Sequence, residues 1–410
     1  AVEMCNGQGA CRKVRGGTMC PSYMVSRDEE HSTRGRANAL RAAISGDLST
    51  GSLTEKRLYD VLDLCLECKG CKAECPSNVD MAKLKYEFLQ IYHKANGYPL
   101  RNNIFGNINA LSRWGSFFAP LSNWTINSAW GKDLLENLVG IDRRRTLPGF
   151  SSQTFHQWFR ARGGSPESAA LRGQVLLLAD TFTNYNHPEL GIAAIEILEK
   201  LGYQVILPNV KCCGRPMLSN GMLDSARRNA HFNVESIYHY VQQGVKLVGL
   251  EPSCILSFKD DYVDLLSGDT RAIDVSENTM LVEEFLLHVQ KSQEVSLDFR
   301  SEAKKFLFQG HCHQKALVGT EPAMQILRSI PGCEVLEIQS GCCGMAGSFG
   351  FEKEHYDTSV KIGEQMLFPF IRNHPGDFVL VAEGVSCRQQ IEHGTGRRAK
   401  HLVEVLSDAI

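Results

Sequence analysis

Four cysteines followed by a proline form the strongest chemical signal in this sequence. Cys65, Cys68, Cys71 and Cys75 precede Pro76 with the spacing C-x2-C-x2-C-x3-C-P. In this spacing a tight loop directs three thiolates at one small volume, and the cysteine before the proline ligates a second centre. A zinc site is the alternative, but zinc motifs favour two separate C-x2-C pairs. The motif therefore predicts iron–sulfur ligation.

The first 21 residues contain an altered version of the same motif. Cys5 and Cys11 occupy the first and third positions, and Gln8 stands where the second cysteine is expected. The Cys-Pro pair is delayed to Cys20 and Pro21. The stretch is thus either a cluster site with one position that is not a thiolate, or a site that has lost its cluster.

Where two such motifs occur together, the cysteine before the proline of each motif ligates the cluster of the other motif. This rule predicts two ligand sets. Cluster B is held by Cys65, Cys68, Cys71 and Cys20. Cluster A is held by Cys5, Cys11 and Cys75, with Gln8 in the fourth place. Three thiolates suit a three-iron cluster, or a four-iron cluster with one iron open or bound by a ligand other than cysteine. Loss of cluster A is the alternative.

The C-terminal half contains two Cys-Cys-Gly sequences. Adjacent thiols are strained as ligands of one ion but suit a polynuclear cluster. The second of these sequences belongs to a set of four cysteines that we predict to hold one cluster: Cys312, Cys342, Cys343 and Cys387. His311 and His313 are further candidate ligands. The first set is Cys212, Cys213 and Cys254, because Thr181 stands where the other set has Cys312. Those three thiols are candidate metal ligands, partners of the second set, or vestigial.

The elements that position these cysteines repeat along the chain. A short apolar run, a helical pattern and a second short run precede each Cys-Cys-Gly, and a third run precedes the last cysteine of each set. The spacing is 31 residues from Thr181 to Cys212 and 30 from Cys312 to Cys342. Strands alternating with helices predict parallel sheets that hold ligands at the carboxyl ends of the strands. A duplication explains the agreement.

The predicted fold is an α-helical ferredoxin-type domain plus an α/β domain built from two duplicated CCG repeats. We place a two-cluster α-helical ferredoxin-like domain at residues 1–93, because helical patterns separate its cysteine loops. A helical or irregular connector without cysteine follows at 94–170. CCG repeat 1 occupies 171–300 and CCG repeat 2 occupies 301–410.

Composition narrows the class of protein. With 410 residues and a formal net charge of −2, the chain is long enough for two or three domains and shows no global attraction to nucleic acid. Apolar runs are too short for a transmembrane segment, and no secretory signal is visible. Fifteen cysteines clustered in this way favour metal binding in a reducing compartment, so we expect a cytoplasmic protein. The start "AVEMCNG", without an initiator methionine, indicates a piece of a longer polypeptide or a processed subunit.

Seven stretches resemble the iron–sulfur half of the large fused FAD/iron–sulfur D-2-hydroxy-acid dehydrogenases, of the D-lactate and D-2-hydroxyglutarate type. They are "CRKVRGGTMCPSY…RDEEHSTRGRANALR", "LCLECKGCKAECPSNVDMAKLK", "CCGRP", "GLEPSC", "GHCHQKAL", "SGCCGMAGSFGFEKEHY" and "GVSCRQQIEHGTGRRAKHL". Parts are shared with the iron–sulfur subunits of glycolate oxidase and anaerobic glycerol-3-phosphate dehydrogenase, and with heterodisulfide reductase. In the complete CCG pattern a CxxC ends each repeat. Here Glu251 and Gly384 replace the first cysteine of that pair.

The resemblance implies an electron-transfer module of an oxidoreductase. An FAD-binding domain or partner protein would oxidise the D-2-hydroxy acid, and iron–sulfur clusters in this chain would pass the electrons to a quinone or a soluble carrier. The chain alone would lack the substrate-oxidising site, and no catalytic residue is assigned. Peripheral attachment to the inner face of the membrane is compatible with this role. The alternatives are a CCG domain that itself reduces a disulfide or quinone, and a zinc-stabilised assembly scaffold.

Overall fold

The structure is a computed structural model that describes residues 2–48, 51–293, 297–300, 303–374 and 376–410. Helices and loops form the chain as far as residue 172, and the remainder contains two parallel sheets with helices between their strands. No helix among the described residues combines the length and the apolarity that crossing a bilayer requires.

The N-terminal region consists of short helices separated by the cysteine loops. The helices are α1 Pro21–Ser26, α2 Thr33–Ser45, α3 Lys56–Asp63, α4 Gly70–Glu74 and α5 Met81–Asn96. Ser32 begins α2 by accepting a hydrogen bond from the Gly35 amide at 2.9 Å, and Gly46 ends it in the left-handed region with φ 83°. Asp80 caps α5 in the same way through the Lys83 amide. The predicted helical ferredoxin type is confirmed.

Four consecutive helices form most of the segment predicted as a connector, and a fifth follows after a loop. They are α6 Leu100–Gly106, α7 Ile108–Phe117, α8 Ala119–Asn127, α9 Ala129–Val139 and α10 Phe155–Ala161. Large apolar side chains on α7 to α9 remain exposed, which was not predicted from the sequence.

Repeat 1 contains a four-stranded parallel sheet in the order β2-β1-β3-β4. Its elements are β1 Gly173–Leu178, α11 Thr181–Tyr185, α12 Pro188–Lys200, β2 Tyr203–Ile206, α13 Arg215–Ser219, α14 Leu223–Val241, β3 Lys246–Gly249, α15 Pro252–Leu256, a π-helical turn Ser257–Asp261, α16 Tyr262–Leu265, α17 Thr270–Glu277, β4 Thr279–Leu281 and α18 Val282–Gln293. The three apolar runs recognised in the sequence are β1, β2 and β3, whereas the edge strand β4 was not predicted.

Repeat 2 contains a three-stranded parallel sheet in the order β6-β5-β7. Its elements are β5 Lys305–Gln309, α19 Cys312–Leu317, α20 Glu321–Arg328, β6 Glu334–Glu337, α21 Tyr356–Gln365, α22 Leu367–Asn373, β7 Phe378–Ala382, α23 Val385–Thr395 and α24 Leu402–Ala409. In both repeats the first strand lies between the other two predicted strands, as expected of a duplication.

The two repeats share one hydrophobic core. Val175 and Leu177 of β1 belong to the same buried cluster as Phe306 and Phe308 of β5, and Leu402 of α24 joins them. Each sheet therefore has one face packed toward the other repeat. This arrangement fixes the relative position of the two sets of strand ends, where the cysteines lie.

Candidate functional site

The four thiols assigned to cluster B line one small cavity. Cys20 precedes α1, Cys65 and Cys68 come from the loop between α3 and α4, and Cys71 lies in the first turn of α4. Glu67 and Lys69 adopt left-handed backbone angles, with φ 53° and 56°. Such residues reverse the chain sharply, which brings the loop cysteines to one side. The exchange of Cys20 into this set agrees with the prediction, although its ligand role stays a prediction.

Burial keeps the thiols of Cys65, Cys68 and Cys71 neutral when no metal compensates their charge. It raises the pKa of Cys65, Cys68 and Cys71, and neighbouring thiols raise it further. A bound metal deprotonates a coordinating thiol outright, which removes this penalty. Four buried thiols around one cavity are therefore a donor set that fits an iron–sulfur cluster.

Arg36 is a buried cation that lies beside this site. Its side chain is fully buried, and Nη1 lies 3.5 Å from the Cys20 sulfur. Nη2 donates to Ser22 Oγ at 3.0 Å and Nε donates to the Val61 carbonyl at 3.1 Å. A guanidinium held in this way can offset the negative charge of thiolates. Arg36 therefore faces the site and not solvent.

The residues assigned to cluster A lie nearer the surface. Cys11 is buried and its sulfur accepts a hydrogen bond from the Arg34 amide at 3.3 Å, whereas Cys5 and Cys75 are half-buried. The thiols of Cys5 and Cys11 both lie within electrostatic range of the Arg34 guanidinium. The side chain of Gln8 is exposed. A shared three-thiol site stays a prediction, as does the role of Gln8.

In repeat 2 the four predicted thiols contact one another. Cys312 begins α19, Cys342 and Cys343 follow β6, and Cys387 lies in the first turn of α23. All four are buried. The thiol of Cys342 lowers the pKa of Cys312 to about 6, and the thiols of Cys342 and Cys387 lower that of Cys343. Such mutual contact fits a polynuclear cluster.

The two histidines beside Cys312 both have partners within the protein. His311 Nδ1 accepts the His313 amide at 3.2 Å and thereby caps α19. His313 Nε2 lies 3.0 Å from the carbonyl oxygen of Glu67, in the cluster B loop. A ligand role for either histidine stays a prediction.

Repeat 1 places Cys212, Cys213 and Cys254 together. Hydrogen-bonding contact links Cys212 to Cys213 and Cys213 to Cys254, and the Thr181 hydroxyl contacts Cys212. The threonine thus occupies the position that a fourth thiol would need. Metal binding by this set stays a prediction.

Cluster B and repeat 2 meet directly. Cys68, Leu66, Cys312 and Cys342 belong to one buried apolar group, which Phe349 closes. The thiols of Cys68 and Cys312 are close enough for their charges to interact. Helix α4 packs against α19 at this contact. Two of the predicted cysteine sets are therefore neighbours in space, although they are far apart in sequence.

Buried ion pairs join the cluster B loop to repeat 1. Lys69 Nζ lies 2.6 Å from carboxylate oxygens of both Asp260 and Asp261, and its side chain is 1% exposed. Arg215 Nη2 lies 2.7 Å from Glu67 Oε2. The two aspartates belong to the π-helical turn, which nothing in the sequence marked as an interface.

All fifteen cysteines lie in the described part of the chain and are free thiols. Within the same residues, no three His, Cys, Asp or Glu side chains converge closely enough to hold a single metal ion. In a cluster each thiolate binds a different iron, so the thiols need not meet at one point. The donor sets thus fit a polynuclear iron–sulfur cluster.

Comparison with known proteins gives matches over each of these regions. Residues 1–79 match the family model of the 4Fe-4S dicluster domain, and residues 181–259 and 307–392 match that of the cysteine-rich domain. A subunit of the anaerobic glycerol-3-phosphate dehydrogenase of Escherichia coli (strain K12) is 33% identical over 313 residues, 76% of this chain and 77% of that protein. D-2-hydroxyglutarate dehydrogenase of Pseudomonas putida is 27% identical over 98% of this chain but only 42% of its own length. Lactate utilization protein A of Macrococcus caseolyticus is 27% identical over 58% of this chain and 97% of its own length.

Proposed function

The chain belongs to the iron–sulfur protein family represented by this anaerobic glycerol-3-phosphate dehydrogenase subunit, and on that premise we propose that it transfers electrons from a flavin-dependent dehydrogenase to an acceptor. Cys5, Cys11 and Cys75 would hold the cluster nearest the donor, Cys20, Cys65, Cys68 and Cys71 would hold the next one, and Cys312, Cys342, Cys343 and Cys387 would hold the one nearest the acceptor. The clusters, when bound, supply one-electron carriers.

The contact between Cys68 and Cys312 carries this proposal. It brings a cluster B ligand and a repeat 2 ligand into one buried apolar group, so the two sites are close neighbours within the protein. Arg36 offsets negative charge on one side of cluster B, and the Lys69 ion pairs hold its loop against repeat 1. The chain therefore fixes the two sites rigidly next to each other.

The electron donor is an FAD-binding domain or subunit that oxidises a D-2-hydroxy acid, either D-2-hydroxyglutarate or D-lactate. Alignment with D-2-hydroxyglutarate dehydrogenases along nearly the whole chain supports this donor. A second candidate donor oxidises glycerol 3-phosphate, and the 33% identity to the glycerol-3-phosphate dehydrogenase subunit favours it. In both cases the substrate-oxidising site lies outside this chain.

The acceptor reacts beside repeat 2, where a cavity of about 220 Å³ opens. Cys312, Cys342 and Cys343 line one side of it, and Phe105, Leu147 and Phe351 line another. A mostly apolar cavity next to the last thiols suits a quinone better than a charged soluble carrier. Reduction of the acceptor here makes repeat 2 the reactive part of the chain.

We also propose that the chain attaches peripherally to the inner face of a membrane, in the cytoplasm. Nine large apolar side chains on α7, α8 and α9 and at the junction of α7 with α8 are more than two-fifths exposed. They form what we call the apolar helical surface: Leu111, Trp114, Phe117, Phe118, Leu121, Trp124, Trp130, Leu134 and Leu138. Exposed apolar surface of this extent marks an interaction site, and tryptophan suits the membrane interface. Flotation with phosphatidylcholine vesicles tests it: wild type should float, and Phe117→Asp with Leu121→Asp should not.

Metal analysis is the first test of the electron-transfer role. Anaerobically purified chain should contain iron and acid-labile sulfide, and its EPR spectrum should change on reduction by dithionite. Zinc without sulfide would contradict the proposal and favour a scaffold.

The second test follows electrons through the chain. Reduced flavin should bleach the visible absorption of the clusters, and menadione, a soluble quinone, should restore it. Cys342→Ser should block restoration while initial bleaching survives, whereas Cys212→Ser in repeat 1 serves as the matched control. Restoration at the wild-type rate in Cys342→Ser would contradict a path through repeat 2. Bleaching by a flavin domain with D-2-hydroxyglutarate, D-lactate or glycerol 3-phosphate then identifies the donor.

A further inference from the structure

A large crevice lies at the carboxyl ends of the strands of repeat 1. Its volume is about 810 Å³, and its walls come from residues that follow β1, β2 and β3. In the order β2-β1-β3-β4 the chain leaves β1 to one side and later adds β3 on the other. Open parallel sheets bind ligands where the strand order reverses in this way, and the volume suits a small molecule. None of the electron-transfer steps uses this crevice.

Three cations from three separate elements line its rim. They are Arg113 on α7, Arg160 on α10 and Lys211 in the loop after β2, and all three are exposed. None of them forms an ion pair with a carboxylate among the residues that the structure describes, and Lys211 Nζ lies over the Phe232 ring at 4.5 Å. Cations gathered without a counter-charge form a site for an anion.

The one carboxylate in the crevice does not neutralise these cations. Asp180 is buried at the start of α11, where it accepts hydrogen bonds from the Phe182 amide at 2.9 Å and from the Thr183 amide and hydroxyl at 3.2 and 2.5 Å. Burial, reinforced by the charge of Glu251, raises its pKa to about 6. Its oxygens accept these hydrogen bonds from its own helix, and within the described residues Asp180 forms no ion pair with Arg113, Arg160 or Lys211.

Aromatic side chains form the other part of the rim. Trp114 is 64% exposed, Phe117 is 75% exposed, and Tyr185 lies further along the wall. Deeper in, Thr181 replaces the thiol that repeat 2 has, and its hydroxyl accepts a hydrogen bond from Asn109 at 2.8 Å. The crevice thus offers positive charge for one end of a ligand and apolar surface for the other.

We propose that the crevice of repeat 1 binds the phosphate group of a ligand through Arg113, Arg160 and Lys211, with Trp114 and Phe117 covering the apolar part. Guanidinium groups suit phosphate because they donate two parallel hydrogen bonds. Two sources supply this chemistry. One is a free nucleotide, and the other is the headgroup of an anionic phospholipid, which rests on the proposed membrane attachment because the crevice adjoins the apolar helical surface. Neither source depends on the electron path.

Calorimetric titration of the iron-loaded chain with AMP tests the first source. Flotation with phosphatidylcholine vesicles, with and without phosphatidylglycerol, tests the second. Arg113→Gln, Arg160→Gln and Lys211→Gln should each weaken whichever binding is observed at least ten-fold. Arg228→Gln removes the same charge from an exposed position on α14 and should leave binding unchanged. Iron content equal to wild type confirms that each variant is folded.

The outcomes separate the sources and can overturn the proposal. AMP binding without an effect of phosphatidylglycerol assigns a free ligand, whereas the reverse assigns a lipid headgroup. Absence of both, or binding that the three rim variants leave at the wild-type level, overturns the phosphate site. If the chain still floats with vesicles that lack phosphatidylglycerol, the proposed membrane attachment stands even when the phosphate site fails. The two proposals can therefore fail independently.

Discussion

His313 donates a hydrogen bond from Nε2 to the carbonyl oxygen of Glu67 at 3.0 Å, across 246 positions of sequence. Glu67 lies between two cluster B cysteines, and His313 follows a repeat 2 cysteine. Both residues are buried. This bond therefore fixes the distance between the last two sites of the proposed electron path.

Replacement of His313 should slow electron transfer without loss of clusters. His313→Ala leaves the buried Glu67 carbonyl without its donor, which costs about 1–3 kcal/mol and loosens the contact between the two loops. We expect slower reoxidation of the dithionite-reduced chain by menadione in stopped-flow absorption, at unchanged iron content. His313→Gln retains an N–H donor and should recover part of the rate. An unchanged rate in His313→Ala, with the exposed His231→Ala as control, would contradict this coupling.

The ion pairs of Lys69 should matter far more for stability than those on the surface. Lys69→Met leaves Asp260 and Asp261 with one cation fewer in a buried site, and breaking a buried pair costs about 3–5 kcal/mol. Lys56→Met breaks an exposed pair with Asp60 on α3, worth about 0.3–0.5 kcal/mol. Urea unfolding followed by circular dichroism measures both. Equal midpoints for the two variants would show that the buried pairs do not hold the cluster B loop.

Cysteine spacing and strand patterns were enough to predict the fold class and the two kinds of domain. Such features are local, because a C-x2-C-x2-C loop and an apolar run each act over a few residues. Even the exchange of Cys20 into cluster B followed from a general rule about paired motifs, and the structure places Cys20 in that cavity.

Contacts between distant parts of the chain could not be predicted. Nothing around Lys69 indicates Asp261, because their pairing depends on how the N-terminal helices dock on repeat 1. The burial of Arg36 could equally not be predicted, since an arginine on a helix is exposed unless another element covers it. A signal for the apolar helical surface did exist: Leu111, Trp114 and Leu121 recur at helical spacing in a segment without cysteines.

His355 should make stability depend on alkaline pH. Burial alone would lower its pKa, but the carboxylates of Asp63 and Glu352, 2.8 and 2.9 Å from its ring nitrogens, raise it to about 9. In the unfolded chain the pKa of histidine is about 6.5. The charged His355 ring therefore stabilises the folded state fully below pH 6.5, and this stabilisation is lost as the pH rises toward 9. Its size is roughly 3 kcal/mol.

The measurement for His355 is a difference between two chains. Urea midpoints of wild type and His355→Asn should differ most at pH 6.5, and the difference should shrink steadily by pH 9.5. Groups that titrate in both chains cancel in this difference. A difference independent of pH would show that His355 is not charged in the folded protein.

Gln8 offers the sharpest test of cluster A. Its side chain is exposed between Gly7 and Gly9, whose φ angles are 80° and 78°, so the loop tolerates a different side chain at this position. If three thiolates hold a three-iron cluster, Gln8→Cys supplies the missing one and should convert it to four irons. The EPR signal of an oxidised three-iron cluster should then disappear, and iron content should rise by about one atom per chain. Gln8→Ala should keep the signal, and Gln153→Cys, which introduces a thiol at an exposed position outside the cluster A loop, should leave the signal unchanged.

A wild-type chain that lacks the oxidised signal and already holds four irons at cluster A would show that another ligand completes the site. Persistence of the signal in Gln8→Cys would place the open position elsewhere.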